Sequence, residues 1–397
     1  MSFGPTQTFP VYPERRKALD QAASANSRLS IYLTDPYGNK LIEVSTFQSL
    51  SYGRVVNQPS WLTLQVTPQS VPIDIIRIDG FVEVWRRPPL GDEVLDGESI
   101  WLIQTINRSI NQDGAESITI EAVHPLWLIG SPGRFIIDHS ESREANKEGY
   151  ADNILKEIMR EQTGQFAVAS RQYPWVIDQD SSQSVVISRA CAYENVLDVL
   201  KSICDSITEA IPTEYLAFDI VKQGSQIVFR TYVGQRGVDR RIGSVAPLYL
   251  GVEYGNVNAL TLYRDYRDEI NAVVVGGRGE GVSRQIERLV SPTYAEISPW
   301  HYREMFVNAQ NATLTSELIE EGRATIRRSR PRIIAEAQII NTPQSQYGVH
   351  WGFGDFVTLS AFGLNLPVRI DAVAVSFSEG QETITAAVRF DSREFPF

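Results

Sequence analysis

Gly276, Gly277, Gly279 and Gly281 crowd one stretch directly after the β-branched run Val273–Val275, where backbone amides could gather around a phosphate. A dinucleotide-binding turn needs glycines at its first, third and sixth positions with a helix straight after, and a P-loop ends in Gly-Lys-Ser/Thr. The spacing here fits neither. Val282, Ile286 and Val290 follow, spaced for either a strand or a helix, so the glycines are expected at a hairpin tip, where they supply positive φ without steric cost.

Other groups with chemical potential are scattered. The histidines His124, His139, His301 and His350 include no pair at the i, i+4 spacing of a helical metal site, and the sequence holds no G-x-S-x-G, H-E-x-x-H or C-x-x-C. His124, before Pro125 at a strand end, reads as a turn or core residue. Glu320 and Glu321 could in principle serve as glycosidase carboxylates, but beside basic neighbours they read as a solvated helix face. The basic run Arg323–Arg332 could meet nucleic acid or an acidic partner, but it reads rather as cations that complement the dipole of a helix C-terminus. Trp61, Trp85, Trp101, Trp127, Trp175, Trp300 and Trp351 read as core or interface anchors. Cys191 and Cys204 lie in a stretch read as helical, which would part them by roughly 20 Å, too far for a disulfide. The expectation is therefore no catalytic, cofactor-binding or metal residue, no cofactor, and no enzyme.

Composition narrows the class of partner. The formal net charge of -11 argues against specific nucleic-acid binding, which leans on Lys and Arg, and favours solubility and protein partners. No apolar run is long enough to span a membrane, and the amino terminus lacks the apolar segment of a signal peptide, so maturation in a cytoplasm is expected.

At 397 residues, two to four domains are expected. Residues 1–28 read as an arm, helical from Glu14 to Ala25. Residues 29–140 carry short alternating strands with turn signals such as "PYGN" and "NQDG", the pattern of a first β-barrel. Residues 141–246 mix helices, in "YADNILKEIMREQTG" and "YENVLDVLKSICDSI", with strands, and Gly164 suits a helix cap. Residues 247–397 return to strands and form a second β-barrel, with an inserted hairpin and helical segment at about 280–332. The fold class is thus α+β, mainly β: two related β-barrels, an α+β domain and a small helical insertion.

A weak internal repeat supports the pairing of barrels. "DGAESITIEAV" matches "EGQETITAAVR", with Gly114 on Gly380, Glu116 on Glu382 and Ser117-Ile118-Thr119 on Thr383-Ile384-Thr385. A long strand precedes each, and before those stand "GFVEVW" at Gly80 and "GDFVTL" at Gly354. Strand, loop, long strand, Gly turn, strand occurs twice.

Three segments give this order a family likeness: "GFVEVWRRPP" through "ITIEAVHPLWLIG", "EINAVVVGGRGEG" followed by "LTSELIEEGRATIRRSRPR", and "GDFVTLSAFGLNLPVRIDAVAVSFSEGQETITAAV". From about Leu29 to Phe390 the chain resembles the hub proteins at the tail tip, or baseplate, of long-tailed bacteriophages. The resemblance implies a baseplate-hub-like fold and a homotrimer whose two barrels per chain make a pseudo-sixfold ring. Such a ring joins a hexameric tail tube to threefold tip components and lets DNA pass. Implied partners are the tail tube protein, distal tail or baseplate proteins, and a tape measure or central spike or fibre; the implied location is the virion tail tip. The arm of residues 1–28 matches nothing in that family, and no lytic or receptor-binding extension is read after the second barrel. A tail-tip glycan or peptidoglycan hydrolase and a carbohydrate-binding module are the alternatives.

Overall fold

The structure, a computed structural model, describes residues 28–87, 92–130, 137–138, 146–191, 193–210, 214–291, 298–310, 315–329 and 332–391. The expected arm, with its helix from Glu14 to Ala25, lies outside the described residues up to Arg28. The fold is mainly β with a mixed central region, as the patterning predicts.

The first region holds β1 (Arg28–Thr34), β2 (Lys40–Glu43), β3 (Ser49–Val55), β4 (Trp61–Val66), β5 (Phe81–Arg87), β6 (Val94–Ile110) and β7 (Glu116–Val123). Period-2 alternation builds these strands: in β4, Leu62, Leu64 and Val66 are buried while Trp61 stands 65% exposed on the other face. The central region runs β8 (Asn146–Tyr150), α1 (Ala151–Gln162), β9 (Val176–Ile177), β10 (Val186–Ala190), α2 (Val196–Ala210), β11 (Leu216–Gln223) and β12 (Gln226–Val233). Its core sets Ile154, Leu155, Ile158 and Met159 of α1 against Leu200, Ile203 and Ile207 of α2, with Phe218 and Phe229 of the sheet beneath. After α1 the Thr163 hydroxyl, not Gly164, closes the helix, donating to the Met159 carbonyl at 3.0 Å. Cys191 precedes α2 instead of lying on it; it and Cys204 are both buried.

The last region comprises β13 (Tyr249–Leu250), β14 (Val257–Asp265), β15 (Ala272–Gly276), β16 (Ile286–Val290), β17 (Glu304–Asn308), α3 (Thr315–Arg328), β18 (Arg332–Ile340), β19 (Phe356–Ala361), β20 (Leu364–Ser378) and β21 (Gln381–Asp391). Here the structure moves one expected boundary. β15, β16 and β17 form their own three-stranded sheet, on which α3 packs Leu318 against Val273 and Val275. The insertion therefore occupies the whole span between β14 and β18 and already contains β15, instead of starting near residue 280. An apolar run such as Val273–Val275 announces a buried strand but not the sheet it joins.

All other strands of the first and last regions share one sheet in the order β14-β18-β21-β20-β3-β4-β7-β6-β5-β1-β2, with β19 and β13 attached beside β20. Within it, β3-β4-β7-β6-β5 and β14-β18-β21-β20-β19 are the same arrangement twice. The likeness holds residue by residue. Counting outward from its turn, β6 runs paired with β7 from Asn111 back to Thr105 and then bulges at Gln104; β20 runs paired with β21 from Ser378 back to Ala372 and then bulges at Asp371. Beyond the bulges, Phe81 faces Leu102 as Phe356 faces Arg369. The Asp79 amide bonds the Ile103 carbonyl at 3.0 Å as the Gly354 amide bonds that of Ile370 at 3.0 Å, both residues at positive φ. Gly354 thus matches Asp79, one residue away from the glycine-on-glycine alignment at Gly80. One short loop differs: Gln112–Gly114 closes the first hairpin, while Glu379 and Gly380, both at positive φ, close the second.

The two units meet at a seam. β20 pairs β19 along Leu364–Arg369, and beyond its bulge it pairs β3 in antiparallel register, Ala372 opposite Val55 through Ser378 opposite Ser49. Core residues of both units fall in one continuous apolar cluster.

Candidate assembly site

Inward positions of a half-buried strand normally hold apolar side chains, so a charge there marks a place where another element must meet it. The inward residues of β3 are Leu50, Tyr52 and Arg54, and Arg54 is buried. Its guanidinium donates to Asp219 Oδ2 on β11 at 2.6 Å and to the Gly97 carbonyl at 2.6 Å. Arg236, just after β12, donates to the same carboxylate oxygen at 2.8 and 3.1 Å. Burial works to raise the pKa of Asp219, but Arg54 and Arg236 outweigh it and hold the carboxyl below the ordinary carboxylate range.

His124 completes this cluster. Its Nδ1 accepts from the Leu126 amide at 3.4 Å, so Nε2 carries the proton and donates to the Ile220 carbonyl at 3.0 Å. Burial pushes its pKa down to about 4, keeping the ring neutral. With both ring nitrogens engaged, the side chain acts as a fastening and has no nitrogen open to a substrate.

Strand β11 carries the rest of the attachment. The Phe218 amide donates to Asn57 Oδ1 at 2.8 Å, and Lys222 donates to Glu83 of β5. Residues Phe218 to Lys222 thereby tie the central region to β3, β5 and the ends of β4 and β7.

A second buried cluster ties the two sheet units together. Arg86 of β5 grips Glu382 at the start of β21 bidentately, at 2.6 and 3.1 Å, and reaches Asp96 at 3.4 Å. The Tyr52 and Tyr347 hydroxyls both donate to Asp96, the latter at 2.7 Å. Burial disfavours the charge on Arg86, yet Tyr52, Asp96 and Glu382 more than offset it and raise its pKa. Burial is also the main force pushing both tyrosines well above their usual range, which keeps them neutral donors.

The residues of the "GDFVTL" and "PVRI" segments have structural work of the same kind. Asp355 accepts from the Val238 amide at 2.7 Å, the Gly352 amide at 2.8 Å and Arg240 Nε at 2.7 Å, holding the chain that follows β12. Arg369 stacks over the rings of Tyr215 at 3.9 Å and Phe356 at 4.6 Å.

Sequence reasoning missed Arg54, Arg86, Asp96 and Asp219. The available signal was the period of the strands, which puts Arg54 in line with Leu50 and Tyr52; the partners are up to 296 positions apart and carry no local mark.

The residues singled out from the sequence are not brought together. The glycines do sit in the hairpin between β15 and β16, Gly276 opposite Ile286, and Gly279 and Gly281 have positive φ. Arg284 takes the carbonyls of Gly276 and Gly277, each at 3.1 Å, so the loop gathers acceptors around a cation rather than amides around an anion. His301 is buried with Nε2 2.9 Å from Glu269, and His350 Nδ1 accepts from the Gln346 amide at 2.9 Å. His139 lies outside the described residues, as do the side chain of Glu320 and part of the Arg323–Arg332 run. Trp101 and Trp351 are core anchors, whereas Trp61 and Trp300 are exposed. A cleft of about 220 Å³ between the β1–β2 turn and β12 holds Glu83 as its one carboxylate among the described residues, already bound by Lys222 and by Trp85 Nε1 at 2.9 Å.

Residues 30–389 match the family described as Siphovirus ReqiPepy6 Gp37-like protein. The chain belongs to that family. Among solved structures, it is similar to the 43 kDa tail protein of prophage MuSo2 from Shewanella oneidensis, at 13% identity and a TM-score of 0.54, over 91% of this chain and 98% of that one. It is similar also to the tail protein from Neisseria meningitidis MC58, at 12% identity and a TM-score of 0.52, over 94% and 99%. No curated protein sequence matches the chain. Family membership and the fold shared with these tail proteins agree with the sequence resemblance to tail proteins of long-tailed bacteriophages.

Proposed function

We propose that the chain is a hub of the tail tip: three copies form a ring of six similar units that joins the sixfold tail tube to threefold tip components and leaves a passage for DNA. The observation that carries this reading is the duplicated strand arrangement, with equivalent bulges at Gln104 and Asp371. A trimer of such a chain presents six near-equivalent faces, which reconciles a sixfold neighbour with a threefold one. The buried ion clusters suit the same role, because they fix the two units and the central region as one body.

The tail tube protein, distal tail or baseplate proteins, and a tape measure or central spike are the partners of such a hub. The net charge of -11 suits a conduit that does not retain passing phosphates. The role is positional rather than enzymatic. Native mass spectrometry of the purified chain, together with copy counting in intact tails, tests the reading. Three copies per tail are expected; one, two or six would overturn it.

A further inference from the structure

The seam between the units has an unused counterpart at each end of the duplicated arrangement. In the chain, the second unit's β20 receives the first unit's β3 along Ala372–Ser378. The equivalent of that stretch in the first unit is Thr105–Asn111 of β6 and the residue after it, and among the described residues it pairs with β7 alone. The equivalent of β3 in the second unit is β14, which among the described residues pairs with β18 alone. One edge is thus a donor without an acceptor and the other an acceptor without a donor, on opposite ends of the same body.

Side chains follow the same equivalence. At the seam, Tyr52, Arg54 and Val373 are at most 4% exposed. Their counterparts Leu260, Leu262 and Ile106 are only half-buried, and Ile110, the counterpart of Phe377, is 66% exposed. Open edges with apolar inward positions are a hazard that soluble proteins ordinarily cover.

Resting on the ring reading above, we infer that β14 of one copy pairs antiparallel with the outer part of β6 of the next, in the register of the internal seam. Transferring Ala374 opposite Gly53 places Asn107 opposite Thr261 of the next copy; Ser109 then faces Ala259 and Ile106 faces Leu262. The contact is head to tail, so it closes into a ring or continues as a filament.

The test is cross-linking of the full chain carrying Asn107→Cys and Thr261→Cys, both exposed positions, at high protein concentration with a short thiol cross-linker. Either single variant alone should give no cross-link, an equimolar mixture of the two should give dimer only, and the double variant should give a ladder ending at trimer. Ser109→Glu with Ala259→Glu, added to the double variant, should cut the yield about fivefold, and Ser109→Glu with Ala259→Lys should restore it. A ladder running past trimer supports these edges but overturns the three-copy hub. A chain that gives no cross-link, whether trimer or monomer, overturns the edges; if trimeric, it leaves the hub reading standing.

Discussion

Where the first sheet unit buries Arg54 and Glu83, the second places Leu262 and Thr358 at the equivalent positions, and Trp101 is answered by Val368. Bulges, registers and the positive-φ residue before the short strand are nonetheless shared. The backbone plan is therefore indifferent to whether its interior is ionic or apolar. The charges stand where β11 docks, whereas at the second unit's Thr358 the chain after β12 is met without a charge, the Ile242 amide donating to the hydroxyl at 3.1 Å; ionic burial at Arg54 and Glu83 serves attachment and not the sheet itself.

The largest effect separating the units is expected at Asp219. Asp219→Ala strands Arg54 and Arg236 in the interior and should cost about 3–5 kcal/mol, whereas Leu262→Ala at the half-buried equivalent of Arg54 should cost well under half of that. Denaturant unfolding of both variants measures the difference. Equal losses would mean that docking is not what the ionic interior supports.

Acid sharpens the same contrast. His124 stays neutral in the fold until pH falls to about 4, while in the unfolded chain it takes up a proton near the ordinary histidine value of 6.5. Stability should therefore drain away as pH falls from 6.5 toward 4, by about 3 kcal/mol in all. Asp219, its carboxyl held low by Arg54 and Arg236, adds a loss of the same sign at still lower pH. His124→Gln should flatten the profile between pH 7 and 4.5 when unfolding midpoints are compared; an unchanged slope would remove His124 from the account.

The smallest effect concerns the matched pair Asp79 and Gly354. A Cβ on Gly354 would come 2.9 Å from the Arg236 Cβ and sit at φ +83, so Gly354→Ala should cost about 2 kcal/mol. Asp79→Gly relieves a left-handed non-glycine and should fall within about 1 kcal/mol of neutral. Thermal melts of the two variants read the asymmetry.

Much of this was legible in the residues. Alternation in "WLTLQV" and the helical stripe of "NILKEIM" each reflect a local period, and the duplicated hairpin shows because both copies need a turn and a strand of like make-up. What failed were inferences needing distant partners. The sheet that β15 joins, and the carboxylates that Arg54 and Arg86 meet, depend on chain segments whose approach no local spacing encodes. Gly80 was aligned with Gly354 by residue type, whereas the conformation required at that point is a left-handed one, which Asp79 supplies.

The seam between β3 and β20 also fixes an order of events. Val55 finds Ala372 only after β20 has left the ribosome, since their pairing closes a loop of 317 residues (372 minus 55). Until then the outer border of β3, with Leu50 and Tyr52 on it, waits bare while the rest of its unit can already be folded. Nascent chains crowded on one messenger thus have an interval in which β3 can capture a neighbour's strand, and synthesis slowed just before Leu364 should lengthen that interval and raise the aggregated fraction.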